Sequence, residues 1–166
     1  HYAVDWLEKY MNDKRPLFLY LAYTAPHDPL MAWPEDIQKY EGTYDTGYES
    51  IRQERYARQK EMRLIDDSYS LSEASYPLWD TLSEEFRREE IRKMEVYAAM
   101  IDRMDQGIGK IIDKLKAIGK ADNTLIMFAA DNGASAEMVR IGGTGEIGSM
   151  TRWTSLGSDW ANIGNT

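Results

Sequence analysis

Apolar positions recur at three- and four-residue steps from the start of the chain, with Ala3, Val4, Trp6, Leu7 and Tyr10 on one face. This spacing predicts an amphipathic helix over residues 1–13, ended by Lys14-Arg15-Pro16. Residues 17–24 are apolar nearly throughout and rich in aromatics, without alternation, which is how a strand covered on both faces reads. Ala25-Pro26-His27-Asp28-Pro29 must be irregular, because each proline removes a donor and pushes its predecessor out of the helical region. A polar excursion over residues 34–82 follows. Within it, Pro34-Glu35-Asp36 reads as a helix start with acids at the positive end, residues 50–63 as a charged surface helix, and residues 66–77 as loop. Ser83 is placed to cap a long helix whose stripe is Ile91, Met94, Tyr97, Ile101, Met104, Ile108, Ile111 and Leu115. Gly107 and Gly109 are places where that helix could bend, and Gly119 suits its C-terminal cap. Residues 124–130 give a second buried-strand pattern ending at Asp131-Asn132-Gly133. Beyond it, residues 134–166 are rich in Gly, Ser and Thr and predict little regular structure.

Strand, long helix, strand, with both strands buried, predicts an α/β fold with a parallel sheet and a right-handed crossover. The helix over residues 94–115 crosses between two strands of one sheet. Two strands are too few to close such a sheet. The chain also opens inside an amphipathic segment and stops without a closing element. The expectation is that residues 1–166 are an internal portion of one larger domain. Uncovered strands would then leave apolar surface and favour self-association of the isolated chain.

Composition narrows the classes. The chain has 166 residues, 43% of them hydrophobic and 29% charged, enough apolar content to form a core. Its net charge of −8 argues against nucleic-acid binding, which draws on clustered Lys and Arg. No apolar run reaches the roughly 20 residues of a membrane helix, so no membrane partner is expected. The absence of Cys excludes disulfides, thiolate zinc sites and Cys nucleophiles within these residues.

The residues that carry chemistry follow the two strand patterns, where open parallel sheets bind ligands. His27 follows the first and can donate to an anionic oxygen or protonate a leaving group. Asp131 and Asn132 follow the second with one carboxylate and one amide oxygen, donors that suit Ca²⁺ or Mg²⁺ rather than zinc or copper. By themselves these signals are weak: Asp-Asn-Gly is above all a turn sequence, and a single His between prolines is commonly a solvated loop residue. Trp33, Trp79, Trp153 and Trp160 fit core packing better than a ligand cleft. Arg52, Arg55, Arg58 and Lys60 read as a solvated helix face paired with Glu54 and Glu61. Glu137 and Asp159 read as surface positions.

Longer runs resemble the sulfatase family of bacterial arylsulfatase type. Phe18-Leu-Tyr-Leu-Ala-Tyr-Thr-Ala-Pro-His27-Asp-Pro-Leu30 resembles the strand and loop whose His faces the substrate sulfate. Thr124-Leu-Ile-Met-Phe-Ala-Ala-Asp131-Asn132-Gly133 resembles the later strand whose Asp and Asn bind the active-site Ca²⁺. Tyr44-Asp45, residues 52–61 and Met94-Glu-Val-Tyr-Ala-Ala-Met-Ile-Asp-Arg-Met-Asp105 follow in family order. Trp160-Ala161-Asn162 with Asn165-Thr166 resembles the run before a distal substrate-binding Lys. The likeness covers nearly the whole chain. It implies a three-layer α/β/α fold of the alkaline-phosphatase type and hydrolysis of sulfate monoesters to an alcohol and sulfate. By the same resemblance His27 contacts the sulfate or the leaving oxygen, and Asp131 and Asn132 are metal ligands. It further implies Ca²⁺ (or Mg²⁺) as cofactor, a sulfate-ester small molecule or sulfated glycan as substrate, and a periplasmic or secreted location.

The departures are specific. The family's Cys/Ser-x-Pro/Ala-x-Arg motif, which is converted to the formylglycine nucleophile, does not occur in this sequence, nor do its paired N-terminal Asp ligands. Asp28 stands where many relatives carry an aromatic residue. The isolated chain is therefore expected to be inactive, with the nucleophile supplied by a preceding part of the protein. The competing readings are a phosphodiesterase or phosphonate monoester hydrolase of the same superfamily, and a non-catalytic binding protein on the same fold.

Overall fold

A computed structural model describes residues 2–27, 30–73 and 77–133. Four α-helices occur among them: α1 (Tyr2–Lys9), α2 (Pro34–Gln38), α3 (Gly47–Glu61) and α4 (Glu84–Ala117). Short 3-10 turns lie at Trp79–Thr81 and Ala121–Asn123. The Gly-rich tail of residues 134–166 lies outside the described residues, together with the readings placed on Glu137, Trp153, Asp159, Trp160 and Asn162.

The organising element is α4, 34 residues long and so spanning about 51 Å. Ser83 starts it as predicted, its Oγ accepting from the Phe86 N–H at 3.2 Å. Glu84 and Glu85 occupy the positive first turn, and Lys114 and Lys116 the negative last one. Gly107 and Gly109, expected as places for a bend, lie within the unbroken helix. At the far end Gly119 takes φ +67°. The Gly119 N–H then reaches the Lys116 carbonyl and the Lys120 N–H the Leu115 carbonyl, both at 2.9 Å, which closes a Schellman cap. The same pair of bonds ends α3, from Arg63 to Lys60 and from Leu64 to Gln59, with Arg63 held at φ +56°.

The face of α4 that is most deeply buried differs from the predicted stripe. Val96, Ala99 and Met100 are buried with Leu30, Ala32 and Ile37 to make the main core, against which Ala25, Met31, Tyr40 and Tyr97 pack. Of the predicted stripe only Leu115 is fully buried, and Ile101 is exposed. Apolar periodicity finds a helix but does not say which flank meets the next element. Here α2 docks on the Val96–Met100 side, so that side is the one covered.

Charge completes this contact. Asp36 in α2 is buried, and its carboxylate receives Lys39 Nζ at 2.9 Å and Arg103 Nε at 2.5 Å. Lys39 also reaches Asp102 at 2.7 Å, and Asp102 accepts from Gln106 at 3.0 Å. Burial alone raises the Asp36 carboxyl, but the bonds from Lys39 and Arg103 outweigh it and hold the group below its ordinary range. The bonds from Lys39 and Gln106 likewise lower Asp102. A carboxyl with a depressed folded-state pKa contributes stability that is present above its unfolded value and is lost as pH falls through the folded one. The α2–α4 contact should therefore hold through neutral and mildly acidic pH and weaken below about pH 4. Urea midpoints measured from pH 7 to 2.5 check this: Asp102→Asn should flatten the acid limb, and an unchanged limb would contradict the account.

Residues 17–24 and 124–130, expected as parallel strands buried on both faces, form no β ladder among the described residues. Phe18, Leu125 and Met127 are 87%, 86% and 85% exposed. Apolar content marks a segment as suited to a sheet, but only a neighbouring strand confers strand structure and cover, and two strands alone are marginal in water. Within residues 34–82, α2 and α3 match the predicted helix start and charged helix. Arg52, read as solvated and paired with acids, instead donates to the Ser72 carbonyl at 2.7 Å and to its Oγ at 2.6 Å, tying the following loop to α3. Trp79 is buried against Tyr48, ring centroids 4.8 Å apart, while Trp33 is at the surface.

Candidate functional site

The first candidate residue, His27, sits on a loop whose two feet stand on the core shared by α2 and α4. Residues 17–24 lead into it, and a turn closes where the His27 N–H reaches the Thr24 carbonyl at 3.0 Å. The Ala25-Pro26 peptide within this turn is cis. On the near side Ala25 packs against the main core; on the far side Leu30 and Ala32 are buried in it. Between those two, the Met31 N–H approaches the Met100 sulfur at 3.3 Å. His27 is exposed at the crest. Asp28, the departure from the family pattern, lies outside the described residues with Pro29.

The second candidate pair follows the other apolar segment. After the Schellman cap the 3-10 turn Ala121–Asn123 redirects the chain, and Thr124 Oγ1 donates to the Lys120 carbonyl at 2.7 Å. Residues 124–130 then lead to Asp131 and Asn132, both exposed. The Asn132 amide nitrogen donates to the Gly133 carbonyl at 2.6 Å. That bond engages the nitrogen and assigns the amide oxygen, the atom a hard cation takes, to the other side of the group.

Three contacts relate the two segments through α4. Lys120 Nζ donates to the Asp13 carbonyl at 3.2 Å, so both segments begin at the C-terminal end of α4. Lys114 reinforces that end by reaching Glu8 of α1 at 3.3 Å. The Tyr23 hydroxyl then lies beside Gly107, 3.7 Å from where a Cβ would stand. The first segment therefore runs back along α4, from its end toward its middle. Asp131 and Asn132 come together as sequence neighbours, and His27 lies at the end of the other segment. Among the described residues no three His, Asp or Glu side chains converge as a metal site, and no helix is long and apolar enough to cross a membrane.

Sequence reasoning missed the charged cluster behind the His27 loop. Glu35 and Asp36 were legible as helix-start acids, yet Asp36 is buried and bonded to Arg103, 67 positions away. A signal was present: Asp102 and Arg103 interrupt an apolar run of α4 with two charges, and buried charges occur where they are paired.

Comparison with known proteins adds a separate observation. The profile of the sulfatase family matches residues 1–154. An arylsulfatase of Klebsiella aerogenes is 36% identical over 174 aligned positions, covering 97% of this chain and 37% of that protein. An uncharacterized sulfatase of Schizosaccharomyces pombe is 39% identical over 144 positions, covering 84% of this chain and 26% of its own length. A choline-sulfatase of Rhizobium meliloti is 29% identical over 126 positions, 74% of this chain and 22% of that protein. The chain thus spans between a fifth and two fifths of the length of these relatives.

Proposed function

The chain belongs to the sulfatase family, and on that premise we propose that it is the part of a sulfate-ester hydrolase that brings His27 to the sulfate and Asp131 and Asn132 to a divalent metal. Membership implies the alkaline-phosphatase type of α/β fold. The proposed arrangement is three-layered, with residues 17–24 and 124–130 as neighbouring parallel strands of its central sheet. The observation that carries the reading is the pairing of the family match over residues 1–154 with the way α4 anchors the starts of both segments.

The donor set fits a hard cation. Asp131 offers an anionic oxygen and Asn132 a neutral one, the pairing that Ca²⁺ or Mg²⁺ prefers. Two residues supply fewer than the roughly six oxygens such an ion takes, so the remaining ligands come from outside this chain in the proposed enzyme. When bound, the metal supplies Lewis-acid polarisation of sulfate oxygens and a template for orientation. His27 donates a hydrogen bond to a sulfate oxygen or gives a proton to the departing ester oxygen. The nucleophile is proposed to be a formylglycine made from a Cys or Ser outside this chain, which contains no Cys. The substrate class is a sulfate monoester, borne on a small molecule or on a glycan.

Turnover of a chromogenic aryl sulfate tests the proposal. The full-length gene product should hydrolyse it in a divalent-metal-dependent way, and Asp131→Ala should weaken metal binding measured by calorimetry. The 166-residue chain alone should lack most of that turnover. A full-length product that prefers a chromogenic phosphodiester would move the assignment to the phosphodiesterase branch. Clear turnover by the chain alone would refute a nucleophile supplied from outside it.

A further inference from the structure

We propose that the Asp36–Arg103 ion pair is a positioning device for the His27 loop, fixing how the loop sits on α4 rather than only adding stability. The proposal rests on the reading of His27 as the sulfate contact. Both feet of the loop stand on the core shared by α2 and α4 through apolar side chains, Ala25 packed against it on one side and Leu30 and Ala32 buried in it on the other. Apolar contact is non-directional, so by itself it permits α2 and the loop to rotate or slide along the helix. The ion pair removes that freedom. Arg103 places Nε 2.5 Å from Asp36 Oδ2, with its terminal nitrogen also at 2.5 Å, while Lys39 takes Oδ1 at 2.9 Å. Both carboxylate oxygens are thereby committed in fixed directions. Two nitrogens of one planar guanidinium on Oδ2 and the Lys39 ammonium on Oδ1 together give the carboxylate one orientation. Lys39 is in turn held by Asp102 at 2.7 Å, one position from Arg103 on the same helix, and Arg103 also reaches Glu35 at 3.4 Å, so three acids and two bases lock α2 to α4. Only residues 28–35 separate Asp36 from His27, and within that stretch Leu30 and Ala32 are buried and the Met31 N–H is engaged at Met100 Sδ. A rotation of α2 would be passed to Leu30 and Ala32, the buried foot of the loop.

Arg103 and Asp36 are thus positioning residues, and the test must separate positioning from stability. The sequence contains two histidines, His1 and His27, so the His27 imidazole can be assigned in a ¹⁵N-labelled chain. Three variants are compared: Arg103→Met, Arg103→Lys, and the apolar pair Asp36→Leu with Arg103→Met. The last replaces the buried Asp36 carboxylate and its half-exposed Arg103 partner together by apolar side chains, so that Asp36 leaves no buried charge unpaired. Backbone order parameters of His27, Leu30 and Met31 should fall from about 0.85 toward about 0.6 in Arg103→Met and in the apolar pair. The His27 imidazole ¹⁵N shifts should move with them, and Arg103→Lys should recover part of the loss. Far-ultraviolet circular dichroism reports whether each variant keeps its helices. If the apolar pair is folded and its loop is as ordered as in the parent chain, the proposal is overturned. If Arg103→Met fails to fold, the apolar pair alone decides. These readouts need no turnover, so they stand apart from the activity reading: a full-length His27→Ala that keeps its activity would sink that reading and leave the loop measurement unaffected.

Discussion

Replacing His27 by Ala in the full-length protein is expected to lower kcat on sulfate esters by about a hundred- to ten-thousandfold, the range typical of a lost acid–base group. That range applies to the esters that depend on His27, and its two possible roles predict different patterns across leaving groups. If the imidazole gives a proton to the departing oxygen, the loss depends on the leaving group. An aryl ester such as 4-nitrophenyl sulfate leaves well unaided and should lose little. An alkyl ester, whose alkoxide needs the proton, should lose most. If His27 instead holds a sulfate oxygen throughout the reaction, all esters should lose a similar factor, and KM should rise wherever the contact is already made in the ground state. A series of sulfates of graded leaving-group pKa therefore reads the role directly. A kcat within about tenfold of the parent enzyme across the whole series would remove His27 from the proposed site, because a working acid–base group contributes more than that.

What could be read from the amino acids divides by whether the determinant is local. Ser83 could be recognised as a cap because its partner is the Phe86 N–H three positions on. Gly119 could be recognised as a terminator because the left-handed turn it makes is a property of its own backbone. Pro34 opens α2 for a similarly local reason. Non-local properties were not legible. The buried flank of α4 depends on where α2 docks, and nothing within the helix ranks Val96–Ala99–Met100 above the Ile101 side. Burial of Asp36 depends on Arg103, which lies two helices later. Residues 17–24 and 124–130 have the composition of strands, but strand structure comes from a neighbour, and among the described residues no ladder forms. For the candidate site the residues alone allowed plain turns. Resemblance over a long run, not the chemistry of His27, Asp131 or Asn132 taken singly, is what raised them to candidates.

Gly47→Ala is expected to be the most destabilising small substitution among the described glycines, at about 3 kcal/mol from two separate sources. Gly47 opens α3 at φ +82°, where an L-residue costs roughly 1–2 kcal/mol. Its missing Cβ would also stand 2.4 Å from Cγ of the Trp79 indole and 2.5 Å from Cδ1. That overlap needs something to move, and inserting a methyl into a packed site typically costs about 1–3 kcal/mol. Trp79 has little room to give. It is buried, meets Tyr48 edge-on at 74°, and its backbone N–H reaches Glu49 Oε1 at 3.3 Å. Tyr48 is anchored in turn through its hydroxyl to Glu90, which also receives Lys93 at 2.6 Å, so movement of the indole would be passed on to α4. Gly119→Ala is the matched control, since Gly119 has φ +67° and nothing within 4 Å of its missing Cβ. It should show the backbone component alone. For a chain of this size, about 3 kcal/mol corresponds to a fall in Tm of roughly 6–12 °C, and the control's backbone cost to roughly 2–8 °C. Thermal melts of the two variants side by side isolate the contact with Trp79. Equal losses would mean that the indole yields freely, and that the α3–Trp79 contact does not fix the start of the helix.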